Sequence, residues 1–216
     1  LLYLHVFNWP EDGNLILGGL KSNISKACLL ADPVKKALTF KRADPLDINI
    51  RVPSKAPDSV DAVVVLETRG EIQTDQSRLL SGTGPANRLL AFDAELIGKG
   101  FSFGDGKAGK YYVDGWKKTN QTIKWNVRLA KAATYKVVLK YVADNAHEGS
   151  FELRLDGLIK KGEIASIPKG EEITEQELGR IALKAGLYPL TITPLEIRKA
   201  GLMKILEVQL IPSNSK

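Results

Sequence analysis

The 216-residue chain is short of the residues on which most catalytic chemistry depends: it has one cysteine, Cys28, and two histidines, His5 and His147. A single cysteine excludes an intrachain disulfide framework. In the apolar run KACLLAD, Cys28 reads as a small buried thiol and not as a nucleophile. The two histidines fall in different predicted domains, so neither a nucleophile and base nor a histidine-rich metal cluster is legible. No G-x-S-x-G element occurs. No apolar run approaches the about 20 residues that a membrane helix needs, which argues against a membrane partner. The chain also starts without a methionine or an export sequence, and the expectation is a piece of a longer protein.

Charge is unevenly distributed. The net +6 comes entirely from residues 73–216, which hold 22 Lys/Arg against 16 Asp/Glu, while residues 1–72 balance at 9 and 9. The lysines of the second part are spread through strand-like segments and not massed on one element, with no nucleic-acid motif beside them. A solvated basic face is therefore expected, and no nucleic-acid partner.

What the chain has in abundance is period-two alternation. In TIKWNVRL, Ile123, Trp125, Val127 and Leu129 share one face and Lys124, Asn126 and Arg128 the other. TYKVVLKYVA places Tyr135, Val137, Leu139 and Tyr141 inward. SFELRLDG does the same with Phe151, Leu153 and Leu155, then ends in the turn pair Asp156-Gly157. Short strands around YLHVF, NLILGG, ISKACLLAD, ALTFKR, DINIRV and DAVVVLETR, separated by Pro, Gly and Asp turns, suffice for a small two-sheet sandwich. Residues 71–87 are polar and aperiodic and read as a linker. From residue 88 onward eight or so strands predict a jelly-roll sandwich. EEITEQELGRIAL is the one stretch open to a turn of helix, since glutamate is a poor strand former. The predicted fold is all-β: two tandem antiparallel β-sandwiches, a small Greek-key sandwich over 1–70 and a jelly-roll, galactose-binding-like sandwich over 88–216.

Two groups of residues are candidate sites. Trp116 stands out of step with any strand, in the turn-rich DGWKKTNQ, with Tyr112 upstream and Asn120 and Gln121 downstream. An indole beside amides suits carbohydrate, because a sugar's apolar face stacks on the ring while polar groups bond its hydroxyls. A Trp closing the end of the core is the competing reading. Asp93 and Glu95, two residues apart on an expected strand, would point to one side, where they would share a calcium ion or face water. The glycine-rich GKGFSFGDGKAGK (98–110) lacks the G-K-[ST] ending of a phosphate cradle and reads as a flexible surface loop.

These stretches together carry a resemblance. YLHVFNWPEDGNLILGGL, KACLLADP and APDSVDAVVVLETRG resemble the small C-terminal β-sandwich that follows the catalytic barrel in retaining bacterial α-L-fucosidases of glycoside hydrolase family 29. AFDAELIG, GWKKTNQTIKWNVRLAKAATYKVVLKY, FELRLDG and LMKILEVQLIP resemble the carbohydrate-binding-module-like sandwiches appended to such enzymes. The resemblance implies a non-catalytic region. Its first domain would buttress a barrel that is not in this sequence, and its second would bind or position fucosylated glycan, with Trp116 the stacking residue and Asp93 and Glu95 the start of a calcium site. It further implies a periplasmic or secreted protein, and it gives no residue of this chain a catalytic role. Packing or spacer domains are the alternative. On the fucosidase resemblance, the opening strand would turn Tyr3, His5, Phe7 and Trp9 toward the barrel.

Overall fold

A computed structural model describes residues 1–167 and 172–213. The chain divides into two compact units, Leu1–Gln76 and Ser77–Lys216. The stretch read as a linker is thus shared between them. Thr74 forms a β-bridge with Leu20 in the first unit, and Arg78–Leu80 is a strand of the second.

The first unit has six strands: β1 (Leu2–Val6), β2 (Asn14–Gly18), β3 (Ile24–Leu29), β4 (Phe40–Arg42), β5 (Asp47–Arg51) and β6 (Ala62–Thr68). They form two three-stranded sheets, ordered β1-β6-β3 and β2-β5-β4. Alternation drives the packing: Val64 and Leu66 of β6, Ala27 of β3, and Ile48 and Ile50 of β5 are buried in one core, with Leu2, Leu4 and Val6 of β1 packed against it. The odd-numbered residues of β1 face outward. Tyr3 is 52% and Phe7 71% exposed, and His5 Nδ1 lies 2.8 Å from Asp61 Oδ2. Trp9 departs from the expected face. β1 ends at Val6, the turn through Gly13 breaks the period, and the indole packs on the core while its Nε1 donates to the Pro53 carbonyl at 2.7 Å. Cys28 is a buried free thiol.

The second unit contains β7 (Arg78–Leu80), β8 (Asn87–Leu90), β9 (Glu95–Ile97), β10 (Ser102–Phe103), β11 (Val113–Asp114), β12 (Thr122–Leu129), β13 (Ala133–Ala143), β14 (Gly149–Leu155), β15 (Leu158–Ile164), β16 (Glu172–Leu183), β17 (Gly186–Ile197) and β18 (Lys204–Pro212). One sheet runs β10-β11-β18-β13-β16 with β8 also on β18, the other β15-β14-β17-β12-β7 with β9 also on β12. Pairing is antiparallel except for β7, which lies parallel to β12. The inward sets of β12, β13 and β14 are those read from the sequence, all buried between the sheets. At the hairpin joining β14 to β15, Asp156 and Gly157 have φ of 50° and 74°, the left-handed pair that a two-residue turn of this twist requires. EEITEQELGRIAL is strand from Glu172 onward, with no turn of helix there. Glutamate is tolerated because β16 lies beside β13, where Glu175 pairs with Lys140 and Glu177 with Lys136. The glycine-rich 98–110 is likewise more ordered than expected. Ser102 and Phe103 pair with Asp114 and Val113, and Gly104 N donates to the Tyr112 carbonyl at 2.9 Å.

One inward residue is at odds with its surroundings. Tyr135 is fully buried, and its hydroxyl has no hydrogen-bond partner among the described residues. Burial alone pushes its pKa up to about 12. A desolvated hydroxyl without a partner costs about 1–3 kcal/mol, so Tyr135→Phe is expected to raise the unfolding free energy by about 1 kcal/mol. The ionised form is the one the fold disfavours, so stability is intact below the unfolded-state pKa of about 10 and falls as pH rises toward 12. Denaturant melts at pH 8 and pH 11.5 check both points. The wild type is expected to lose roughly 2 kcal/mol more than the variant at the higher pH, and equal losses would refute the assignment.

Candidate functional site

Of the residues singled out in DGWKKTNQ, Trp116 and Gln121 face inward at one end of the second unit. Gly115 enters the loop with φ +84°, and a Cβ there would stand 2.1 Å from the Gly100 carbonyl oxygen, so only glycine allows that approach. The chain then turns Trp116 into the core, 1% exposed, with its ring tilted at 60° to Phe101 and centroids 6.1 Å apart. Its Nε1 donates to the Gln121 carbonyl at 3.2 Å, and its own carbonyl accepts from Leu202 N at 2.9 Å.

Gln121 is as buried as the indole and uses both ends of its amide. Oε1 accepts from Lys117 N and Lys118 N, both at 2.7 Å, while Nε2 donates to the carbonyls of Lys99 at 3.1 Å and Gly115 at 3.0 Å. These two residues fasten the loop and offer no surface to a ligand. The sugar platform expected at Trp116 and Gln121 is therefore corrected to a loop anchor. Tyr112 is half-buried, with Lys204 Nζ 5.4 Å from its ring centroid, and Asn120 alone of the four is exposed.

Asp93 and Glu95 do not share a strand face. Asp93 ends the 3₁₀ turn Ala91–Asp93 and lies 3.6 Å from Arg78 Nη1. Glu95 opens β9 and accepts from Lys124 Nζ at 2.9 Å. Each carboxylate already faces a cation, and among the described residues no group of three or more His, Cys, Asp and Glu side chains is placed to hold a metal ion. The calcium expectation drawn from their spacing fails because the chain turns between them.

Beside the Trp116 loop the structure assembles a polar cluster that sequence spacing concealed. His147 Nδ1 lies 2.7 Å from Asp144 Oδ1, with Lys204 Nζ 4.0 Å from Asp144 Oδ2. Burial raises the Asp144 pKa, but the Ala146 N–H, His147 and Lys204 outweigh it and leave the carboxyl below its ordinary value. On the outward side of β18, Glu207 is fully buried. Its Oε2 accepts from Arg88 Nε at 2.8 Å and Nη2 at 2.5 Å, which holds the guanidinium pKa up. Both clusters are internally satisfied. Neither sets two carboxylates across an open cleft, as glycosidic hydrolysis would need.

The geometry defines a class: two β-sandwiches in tandem, whose sequence-marked residues brace loops. Comparison with protein families returns no match for this sequence, and comparison with curated proteins returns none either. Solved structures give the fold. An α-L-fucosidase from Vibrio sp. strain EJY3 superposes over 97% of this chain with a TM-score of 0.55 at 15% identity, and the chain spans 37% of that enzyme's length. The insecticidal crystal protein Cry2Aa covers 76% of the chain with a TM-score of 0.54 at 13% identity, over 28% of its own length. A family 35 carbohydrate-binding module from Clostridium thermocellum covers 60% of the chain and all of its own, at TM-score 0.46 and 15% identity.

Proposed function

We propose that this chain is the non-catalytic region of an α-L-fucosidase that removes terminal α-L-fucose from glycans. The observation that carries the reading is the tandem itself: both sandwiches, in this order, are accommodated in a fucosidase that extends well beyond them. The outward side of the opening segment supports it, since Tyr3 of β1 and Phe7 just beyond it offer apolar surface of the kind a barrel would cover. The second sandwich then binds glycan or holds it near the barrel, raising the local substrate concentration. Fucosylated glycan as partner and a periplasmic or secreted location belong to the same proposal.

A second reading, in which both sandwiches are packing or spacer domains, is favoured by the burial of Trp116, which removes the platform that had pointed to sugar. Titrating the purified chain with fucosylated oligosaccharides and their defucosylated counterparts, with heat detected by calorimetry, decides between them. Saturable binding is expected. Its absence across the whole set would leave the spacer reading standing. The purified chain is also expected to release no more chromophore from an aryl α-L-fucoside than a denatured control does.

A further inference from the structure

The outward face of the sheet β15-β14-β17-β12 is not flat. Side chains alternate along β17, so while Leu190 and Ile192 are buried, Pro189, Thr191 and Thr193 point away from the core. On one side β14 sets Arg154 beside Thr191 and Glu152 beside Thr193. On the other, β12 sets Asn126 beside Pro189 and Lys124 beside Thr191. Pro189 and Thr191 thus lie between the longer Arg154 of β14 and Asn126 and Lys124 of β12, which makes a trough along β17 that ends where Thr193 Oγ1 meets Thr122 Oγ1 at 3.0 Å. At the hairpin end the trough opens into a concavity of about 390 Å³, bounded by Arg154, Asp156, Ile159 and Leu187.

The chemistry of the walls narrows what fits. Arg154 Nε donates to Glu152 Oε1 at 2.5 Å, and Lys124 Nζ to Glu95 Oε2 at 2.9 Å. Donors and acceptors thus stand side by side with charges balanced within each pair, which matches hydroxyl groups, each both donor and acceptor. An anionic ligand at the concavity would meet Asp156, and the cations Arg154 and Lys124 already face carboxylates. A peptide seeking strand addition would find no open edge, because β17 is hydrogen-bonded on both sides, to β12 and β14. Ile159, 46% exposed, and Leu187, 65% exposed, supply apolar surface at the rim for the C–H face of a sugar ring. The concavity lies where β14 ends and β17 begins, at the opposite end of β12 from the Trp116 loop.

We infer that this trough binds a neutral oligosaccharide chain lying along β17. The inference rests on the glycan-binding part of the proposed function and gives that part a site. The test is calorimetric titration of the purified chain with neutral hexasaccharides (manno-, xylo-, gluco- and galacto-) and fucosylated oligosaccharides, with oligogalacturonate as the anionic comparison. Thr191→Arg, which fills the floor from an outward position, is expected to weaken binding of the neutral ligand at least tenfold, and Tyr112→Ala at the far end to leave it unchanged. Thermal melting confirms folding, and Asn126→Ala at an exposed wall position, expected to weaken binding severalfold, decides if Thr191→Arg does not fold. Undiminished binding by the folded trough variants, loss with Tyr112→Ala, or preference for oligogalacturonate overturns this site while leaving glycan binding intact. No binding by the wild type to any probe overturns both.

Discussion

Trp116→Ala is expected to destabilise the second unit by about 3–5 kcal/mol, the range for truncating a large buried aromatic, and to do so whether or not a glycan is present. The indole is 1% exposed and fills the end of the core against Phe101, so its removal leaves a cavity that the glycine-restricted turn at Gly115 cannot collapse into. It also strips the Gln121 carbonyl of its donor at 3.2 Å. Urea denaturation followed through the remaining tryptophans measures the effect. A loss under 1 kcal/mol would mean that the ring lies in water and that the loop is open. The substitution that would ordinarily probe a sugar platform thus reports on folding, and any loss of binding it causes says nothing about contact.

Gln121→Ala is expected to cost about 3–4 kcal/mol, from four hydrogen bonds of about 1 kcal/mol each. Unlike the indole, the amide cannot be replaced by a group of similar shape, because it both accepts and donates. Gln121→Glu separates the two roles. One oxygen still accepts from Lys117 N and Lys118 N, but the other would face the carbonyls of Lys99 and Gly115 at about 3 Å. Only a protonated carboxyl can donate there, so the fold raises its pKa above the unfolded value. Stability is then retained at acid pH and lost as pH rises through the folded-state pKa. Unfolding measured at pH 4 and pH 8 is expected to bring the variant near the wild type at the lower value and well below it at the higher. A variant with the same deficit at both would show that the amide does not donate to those carbonyls.

The two anchors mark the limit of what the sequence discloses. Along β12 and β13 the large inward residues are legible, because a strand's period is intrinsic to its backbone and a buried face must be apolar at each second position. A loop has no period. Trp116 is buried because Gln121, five residues on, folds back to cap its turn, and the text DGWKKTNQ reads equally well as a displayed ring. β7 was illegible for a related reason. Its three residues sit in a polar stretch and become strand only through parallel pairing with β12. Asp93 and Glu95 show the converse, because a 3₁₀ turn resets the strand period between them. The trough along β17 was written in plain view as Pro189, Thr191 and Thr193, but its depth depends on which strands flank β17, and pairing order is a tertiary fact.

The glutamates of β16 have a consequence beyond the pairing they satisfy. Among the described residues β16 is the last strand of its sheet, and it runs twelve residues, long enough for an outer row of amides and carbonyls to template a strand from another molecule. An edge built of valine and isoleucine would have had higher strand propensity and would have been adhesive. Glu175 and Glu177, with Lys140 and Lys136 beside them, set charged side chains along that border, and a second copy pairing edge to edge would have to strip them of water. The residues that make this segment hard to read as a strand are thus the ones that disfavour strand addition at its border.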